Sequence, residues 1–275
     1  MEIKTVWGMY FSPTGTTKKV VSCISKTVAE YLGVKYKFYP FNLPETRTHT
    51  LYFSSDDLIV CGVPVYAGRV PNKLLPFLKK HLNGNGAFAV PVTLFGNRDF
   101  DDALIELRNL LQEANFHTIS AAAFVGEHSF SRVLAAGRPN ENDMKLAANF
   151  ANETAEKVLR LSGPPKEPVS VKGNDPIHPY YTPRDHHGNA INILGVKPKT
   201  DMKKCTSCGL CARICTMGAI NSQDVSEVVG ACIKCCACIK KCPCQAKYFD
   251  DERYLYHQHD LEKTYEREAN IELFY

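Results

Sequence analysis

Residues 3–17 read IKTVWGMYFSPTGTT, and this stretch gives the first indication of the fold. The apolar run at residues 3–11 has the length and composition of a β-strand that is buried on both faces. Residues 20–33, VVSCISKTVAEYLG, have the apolar spacing of a helix that ends at Gly33. Residues 12–17 are therefore predicted to form the turn that joins a buried strand to a helix.

The turn SPTGTT brings hydroxyl groups and backbone N–H groups to the start of a helix, where the helix dipole favours an anion. It lacks the G-x4-G-K-[ST] pattern of nucleoside triphosphate-binding loops and the G-x-G-x-x-G pattern of dinucleotide-binding loops. A cradle of hydroxyl groups without a lysine suits a phosphate monoester. The alternative is a loop rich in Ser and Thr that only caps the helix.

Strands and helices are predicted to alternate as far as residue 161. Four more strands are expected at residues 36–39, 57–63, 86–95 and 116–125, and helices at residues 72–82, 99–115 and 142–161. Five strands that alternate with helices predict an α/β fold with a doubly wound five-stranded parallel sheet. Ligands of such sheets bind at the carboxyl ends of the strands.

The SPTGTT turn after a first parallel strand resembles the phosphate loop of the flavodoxin family, and the resemblance covers residues 1–162. It implies a flavodoxin-like domain that binds FMN, with the isoalloxazine ring between the loops after the third and fourth strands. The cofactor-binding residues that it implies are Ser12, Thr14, Gly15, Thr16 and Thr17; Pro64, Val65, Tyr66, Ala67 and Gly68; Thr93, Phe95, Gly96, Asn97, Arg98 and Asp99; and Ser129 and Phe130.

The resemblance also implies roles for single residues of these loops. Tyr66 is expected to stack on the ring, and Asn97 and Arg98 to bind its polar edge. A positive group near that edge would stabilise the reduced, anionic flavin. Gly68 and Gly96 are expected to let the backbone approach the ring closely.

The loop at residues 126–132, GEHSFSR, is expected at the same end of the sheet. Glu127 and His128 are candidates for proton transfer at the flavin, although a lone histidine in a loop is more often structural. Residues 163–198 are rich in Pro, Gly and Asn and are predicted to be a linker that is held along a surface. Tyr180 and Tyr181 could cover the flavin edge, fill the seam between domains, or simply pack.

Ten of the twelve cysteines lie between residues 205 and 244, and eight of these form two runs with the spacing C-x2-C-x2-C-x3-C. Two such runs in tandem are typical of a pair of [4Fe-4S] clusters. Cysteines clustered in this way indicate metal ligation in a reducing compartment, so a cytoplasmic location and an anaerobic setting are expected. Zinc is the alternative, but four-cysteine zinc sites usually consist of two C-x2-C pairs with a longer spacer.

Residues 199–249 resemble the bacterial two-cluster ferredoxins, which implies a small α+β domain. In that family the fourth cysteine of each run ligates the cluster of the other run. The resemblance therefore implies one cluster on Cys205, Cys208, Cys211 and Cys242, and another on Cys232, Cys235, Cys238 and Cys215. The first run is not followed by the usual proline, and Cys236 and Cys244 are additional, so a shifted ligand at Cys236 stays an alternative.

The remaining features exclude some functions. A net charge of +4 gives no support for binding nucleic acid. No apolar run approaches the roughly 18 residues of a membrane span, and the N-terminus lacks the pattern of a signal peptide. Residues 250–275 form an acidic tail rich in aromatic residues, which is expected to dock on the chain's own surface or on a second copy in a homodimer.

The order of the two segments resembles a fusion of a flavodoxin with a two-cluster ferredoxin. It implies an electron-transfer protein that passes electrons between two [4Fe-4S] clusters and FMN and exchanges them with redox protein partners. The alternative is an FMN-dependent reductase of a small molecule, fed by its own clusters. A third hypothesis places zinc at the cysteines and treats the first domain as an interaction module that binds no FMN. An open flavin edge would favour the electron-transfer protein. A covered cavity beside the flavin would favour the reductase.

Overall fold

The computed structural model describes residues 2–275, and its regular elements follow the predicted alternation over the first 160 residues. The strands are β1 (Thr5–Tyr10), β2 (Lys35–Pro40), β3 (Leu51–Tyr52), β4 (Asp57–Pro64), β5 (Leu82–Asn83), β6 (Phe88–Phe95), β7 (His117–Thr118), β8 (Ala121–Val125), β9 (Lys199–Thr200), β10 (Lys247–Tyr248) and β11 (Glu272–Phe274). The α-helices are α1 (Thr16–Leu32), α2 (Leu75–Lys80), α3 (Ala103–Glu113), α4 (Glu141–Arg160), α5 (Leu210–Arg213), α6 (Ala237–Lys240) and α7 (Glu252–Thr264). Short 3-10 helices span Pro44–Arg47 and Asn72–Leu74.

The main sheet has the strand order β11-β8-β6-β4-β1-β2, with β7 beside β6. The pairs β1–β2, β1–β4, β4–β6 and β6–β8 are parallel. Counted along the chain, the five long parallel strands have the order 2-1-3-4-5, which is the order of flavodoxin-like doubly wound sheets. The predicted fold class is therefore confirmed.

Apolar helix faces cover both sides of this sheet. All eight residues of β6 are buried, as expected for a strand between two layers of helices. On one side α1 and α4 pack their apolar faces, with Ile24 and Phe150, against the sheet. On the other side α2 and α3 do so with Phe77 and Leu107. None of the helices between residues 2 and 275 is long and apolar enough to cross a membrane.

Several elements differ from the sequence-based expectation: β3 and β5 were not predicted, the helix expected at residues 72–82 spans Leu75–Lys80, and the strand expected at residues 116–125 is divided into β7 and β8. The helix expected from residue 99 begins at Ala103, because left-handed backbone at Asn97 (φ 67°) and Asp101 (φ 40°) turns the preceding loop. The last strand of the sheet, β11, was not predicted. It pairs antiparallel with β8, and Leu273 lies opposite Ala122. A three-residue strand carries too little alternation to be recognised in a sequence.

The linker at residues 163–198 is held on the sheet domain by hydrogen bonds. Asp102 accepts from the backbone N–H and the side-chain amide of Asn174, at 2.9 and 2.8 Å, and from the N–H of His178 at 2.8 Å. Burial alone would raise the pKa of Asp102, but these hydrogen bonds together hold it below its usual value. The charged carboxylate thus anchors the start of the cysteine-rich half of the chain.

Phe150 and Leu159, both on α4, offer a test of this packing. Phe150 is fully buried, whereas Leu159 is 67% exposed. Phe150→Ala should lower the free energy of unfolding by about 3–5 kcal/mol, because it removes a ring and leaves a cavity. Leu159→Ala, the matched control, should change it by less than about 0.5 kcal/mol. Denaturant unfolding followed by circular dichroism measures both, and similar losses would contradict the assigned layers.

Candidate functional site

The turn after β1 presents free backbone donors at the start of α1. Gly15 precedes the helix with φ 114° and has no side chain to cap it. Ser12 Oγ accepts from the N–H of Lys18 at 2.9 Å, and the N–H of Ser12 donates to Asn42 Oδ1 at 2.6 Å, so the turn is fixed at both ends. The N–H groups before Lys18 remain as donors at the helix start, where anions bind, so the predicted phosphate loop fits a phosphate group.

A cavity of about 360 Å³ opens beside this turn. Thr14, Gly15 and Thr16 line one side of it, and Arg132 and Lys241 lie on the other. Neither cation was assigned to the site from the sequence, because Arg132 follows β8 and Lys241 belongs to the second cysteine run. The loop itself carries hydroxyl groups, as predicted, and distant parts of the chain supply positive charge.

The loop after β4 is a tight turn. Tyr66 and Arg69 exchange two backbone hydrogen bonds of 2.9 and 3.1 Å, and both residues between them have positive φ. A Cβ at Gly68 would collide with the carboxylate of Asp101. Glycine at residue 68 therefore suits both its positive φ of 77° and its packing against the neighbouring loop. Glu106 fixes the turn, since its carboxylate accepts from Arg69 Nε and Nη2 at 2.7 and 2.6 Å.

The side chain of Asn97, in the loop after β6, is occupied by the C-terminal tail. Its amide donates to the carbonyl oxygens of Tyr265 and Arg267, at 2.7 and 2.6 Å. Its carbonyl accepts from the N–H of Ala269 at 3.1 Å. The structure therefore gives this carboxamide a different partner from the predicted ring edge.

Aromatic side chains of the linker cover the two loops. Tyr181 donates its N–H to the carbonyl of Ala67 at 2.8 Å, and the guanidinium of Arg98 lies 4.5 Å from the centre of the Tyr181 ring. Arg98 also forms an ion pair with Asp101. Tyr180 donates its hydroxyl to the carbonyl of Val70 at 2.8 Å. The guanidinium of Arg98 is therefore held between the carboxylate of Asp101 and the ring of Tyr181.

The remaining predicted residues lie on the same edge or in the same loops. Thr93 and Phe95 are on β6, and the hydroxyl of Thr93 is buried without a hydrogen-bond partner within residues 2–275. Pro64 ends β4, and Val65 and Ala67 belong to the turn after it. Thr17 is in the first turn of α1, and Asp99 follows Arg98 in the loop after β6. Ser129 is half-buried between His128 and Phe130. All of the residues predicted for FMN thus gather at the carboxyl edge of the sheet.

His128 is packed against the loop after β6. Its ring fills the space beside Gly96, where a Cβ would collide with it. Its Nδ1 accepts from the N–H of Phe130 at 3.2 Å. Burial, together with the nearby charges of His257, Lys240 and Arg98, lowers the pKa of His128 to about 3. A neutral, packed ring favours the structural alternative over proton transfer.

The cysteines line two cavities. The first is lined by Cys205, Cys208, Cys211 and Cys242, together with Cys238 and Cys244. The second is lined by Cys215, Cys232, Cys235 and Cys238, together with Cys236. Each cavity thus brings together three cysteines of one run and the fourth of the other. Within residues 2–275, no three Cys, His, Asp or Glu side chains are close enough to hold a single metal ion.

Backbone donors point at the sulfur atoms in the same pattern in both runs. The N–H groups of Ser207 and Lys234 each lie 3.4 Å from the first sulfur of their run. Those of Ala219 and Ala246 lie 3.2 and 3.3 Å from the fourth. Such hydrogen bonds stabilise thiolates and are one of the factors that set the potential of an iron–sulfur cluster.

Cys236 occupies a backbone position that favours glycine. Its φ is 57°, and the equivalent residue of the first run is Gly209, with φ 69°. Its sulfur lies 3.3 Å from the carbonyl of Lys234 and 3.5 Å from the hydroxyl of Tyr254. Burial raises its pKa to about 12. These contacts favour a packing role over the alternative of a shifted ligand.

The second cavity is the one that adjoins the sheet domain. Arg47 donates to the carbonyl of Thr216 at 2.7 Å, next to Cys215. Burial raises the pKa of Tyr66 well above its ordinary value, and the nearby thiolates of Cys235, Cys236 and Cys232 add to this. Both cavities are lined only by residues 198–249, but Ile233, which lines the second cavity, packs against the core on the α2 and α3 side of the sheet, and no residue that lines the first cavity does so. One cavity is therefore proximal to the sheet edge and the other is distal.

Comparison with known proteins adds a family model described as a 4Fe-4S binding domain, which matches residues 198–221. The match contains the first cysteine run. The chain combines a flavodoxin-like fold with a 4Fe-4S binding domain. We refer below to residues 2–162 as the flavodoxin-like domain and to residues 199–249 as the iron–sulfur domain. The presence of both domains in one chain supports a general role in electron transfer that uses a flavin and an iron–sulfur centre.

Solved structures similar to this chain include flavodoxins. One from the domain Archaea is 16% identical over 57% of this chain and 100% of its own, with a TM-score of 0.42. Flavodoxins of Streptococcus pneumoniae TIGR4 and Bacillus cereus are 20% and 17% identical, each over 56% of this chain and 99% of their own, with TM-scores of 0.40 and 0.41. No curated protein matches the chain.

The iron–sulfur domain is attached to the flavodoxin-like domain through the loop after β8 and through α7. Lys240 on α6 forms an ion pair with Glu127 and also donates to the carbonyl of Ser131. Phe130 packs on Tyr254 of α7, with the ring centres 4.8 Å apart. Glu127, which was considered for proton transfer, is therefore used in the contact between the domains.

Asn97→Gly should loosen the attachment of the C-terminal residues 265–275 to the loop after β6. Glycine keeps the left-handed backbone but removes three hydrogen bonds, each worth about 1 kcal/mol. Hydrogen exchange at residues 265–275 should become faster. Asn115→Gly is the matched control, because Asn115 has the same backbone conformation (φ 68°) and is exposed. Equal exchange in the two variants would contradict the role of Asn97.

Stability should fall as the pH is lowered, in part because of His128. Between its ordinary pKa of about 6.5 and its folded value of about 3, the unfolded chain binds a proton that the folded chain does not. Each pH unit in this range should cost up to about 1.4 kcal/mol. Denaturation midpoints between pH 7.5 and 5 should therefore fall less steeply for His128→Gln than for the wild type. Parallel curves would show that His128 is not buried in its neutral form.

Proposed function

We propose that this protein transfers electrons between FMN and two [4Fe-4S] clusters that are bound to the same chain. The observation that supports this most strongly is the position of the proximal cysteine cavity. Two residues of its lining contact the sheet domain: Thr216 accepts a hydrogen bond from Arg47, and Ile233 packs against the core of the sheet domain. The thiols of Cys235, Cys236 and Cys232 are also near enough to Tyr66 to add to the rise in its pKa that burial causes. Cofactors held there would be close to each other without any movement of the domains.

The flavodoxin-like domain has groups suited to each end of FMN. The uncapped N–H groups at residues 14–17 would bind the phosphate, and Arg132 and Lys241 would add positive charge. Arg98 and the backbone of the turn at Tyr66 would flank the ring. FMN supplies the ability to exchange either one or two electrons, whereas a cluster exchanges one. The neutral ring of His128 adds no charge at this site.

The cysteine cavities suggest an order for the clusters. The distal cluster would be held by Cys205, Cys208, Cys211 and Cys242, and the proximal one by Cys215, Cys232, Cys235 and Cys238. Cys238 lines both cavities, so the two clusters would be adjacent. In this order, the proximal cluster passes electrons between the distal cluster and the flavin.

The second candidate function is reduction of a small molecule at the flavin. A cavity of about 430 Å³ beside Gly68 and Arg98, bordered by Tyr181, favours it. However, the lysine and arginine side chains that line this cavity are already paired, Arg98 with Asp101, Arg69 with Glu106 and Lys172 with Glu272. None of these three is free to bind an anionic substrate, so we favour the electron carrier. Its partners would be redox proteins of a reducing, cytoplasmic compartment.

Iron, sulfide and FMN contents of the anaerobically purified protein test the proposal. The wild type should contain about eight iron atoms, eight sulfides and one FMN per chain. Cys211→Ala should lose the distal cluster and Cys235→Ala the proximal one, leaving about four iron atoms each. Cys236→Gly, the control beside a ligand, should keep both clusters. Zinc in place of iron, or a colourless protein without flavin, would overturn the proposal.

A further inference from the structure

The distal cluster site reaches the solvent at Cys208. Of the twelve cysteines, Cys208 is the one that is exposed, and Thr206 and Ser207 beside it are exposed as well. None of the four cysteines of the proximal site is exposed. If electrons enter or leave through the clusters, the exposed edge at Cys208 is the shortest route to another protein.

Positive side chains surround this edge. Lys203, Lys204 and Arg213 are exposed, and Arg213 donates to the carbonyl of Cys208 at 2.9 Å, so its guanidinium is held directly at the exposed ligand. Between residues 200 and 215 the one acidic side chain is Asp201, which is half-buried and lies 3.7 Å from Lys204. Residues 200–215, which carry Cys208, therefore have a net positive charge.

An apolar side chain lies within the same surface. Met202 is 54% exposed, immediately before the two lysines. Interfaces of transient complexes often combine an apolar centre with a charged rim, and charge complementarity raises the rate of encounter. We define the cluster face as Met202, Lys203, Lys204, Cys208 and Arg213.

We infer that the cluster face is the docking site of an acidic redox protein, an inference that rests on the function proposed above. In the forward direction, one electron leaves the reduced centre of the acidic partner and enters the oxidised distal cluster. The partner is oxidised by one electron and the cluster is reduced by one, and no bond is formed or broken. The basic rim orients the partner so that its centre faces Cys208.

A charge-reversal pair tests the inference on the anaerobic holoprotein. The probe is a dithionite-reduced, acidic [4Fe-4S] ferredoxin, and the second-order rate of electron transfer is followed by stopped flow. Lys203→Glu with Lys204→Glu should slow it about tenfold or more at low salt, and this difference should shrink at high salt. Lys79→Glu with Lys80→Glu is the matched control, because it reverses two adjacent exposed lysines on α2, and it should change the rate by less than about twofold.

A second readout does not depend on electron transfer. Binding of the oxidised ferredoxin, measured by titration calorimetry at low salt, should weaken in the Lys203/Lys204 variant and not in the control. Equal rates and affinities in the two variants, or a rate independent of salt, would overturn the docking site. Iron and FMN contents are measured on the same samples, so failure of the proposed function would be recognised separately, by missing cofactors.

Discussion

The attachment of the C-terminal tail to the sheet is the constraint on which the arrangement of the two domains depends. Residues 272–274 pair with β8, and Asn97 holds the backbone of residues 265–269. At its other end the iron–sulfur domain is preceded by the linker that Asp102 anchors. Since both connections are tied to the same sheet, the domain is held over the carboxyl edge instead of swinging on a flexible tether. The tail contacts lie within one chain, so this arrangement needs no second copy.

Within this frame, polar contacts set the position of the proximal cavity. Lys240 bridges Glu127 and Ser131, and Arg47 reaches the carbonyl next to Cys215. Buried or half-buried charges that are paired in this way are costly to separate, because each would be left without its partner. The contact between the two domains is therefore fixed by hydrogen bonds as well as by the packing of Phe130 on Tyr254. In the function proposed above, the proximal cluster site is internal, and electrons enter or leave at the distal one.

Spacing along the chain was sufficient to predict the sheet, its helices, the turn at residues 12–17 and the two cysteine runs, because each depends on neighbouring residues. Contacts between distant residues could not be predicted in this way. The carboxamide of Asn97 binds residues some 170 positions later, and Gly68 is needed because Asp101 packs against it. The left-handed backbone at Cys236 has a signal in the sequence, since Gly209 occupies the equivalent position of the first run, but only a comparison of the two runs reveals it.

Whether the electron path lies within one chain can be measured directly. One electron is delivered to the anaerobic protein by a rapid pulse, and the absorbance of the clusters and of the flavin is followed in parallel over a range of protein concentrations. The account predicts that the clusters are reduced first and that the flavin is then reduced at a rate independent of protein concentration. A rate proportional to protein concentration would contradict it, because the electron would then pass between separate molecules.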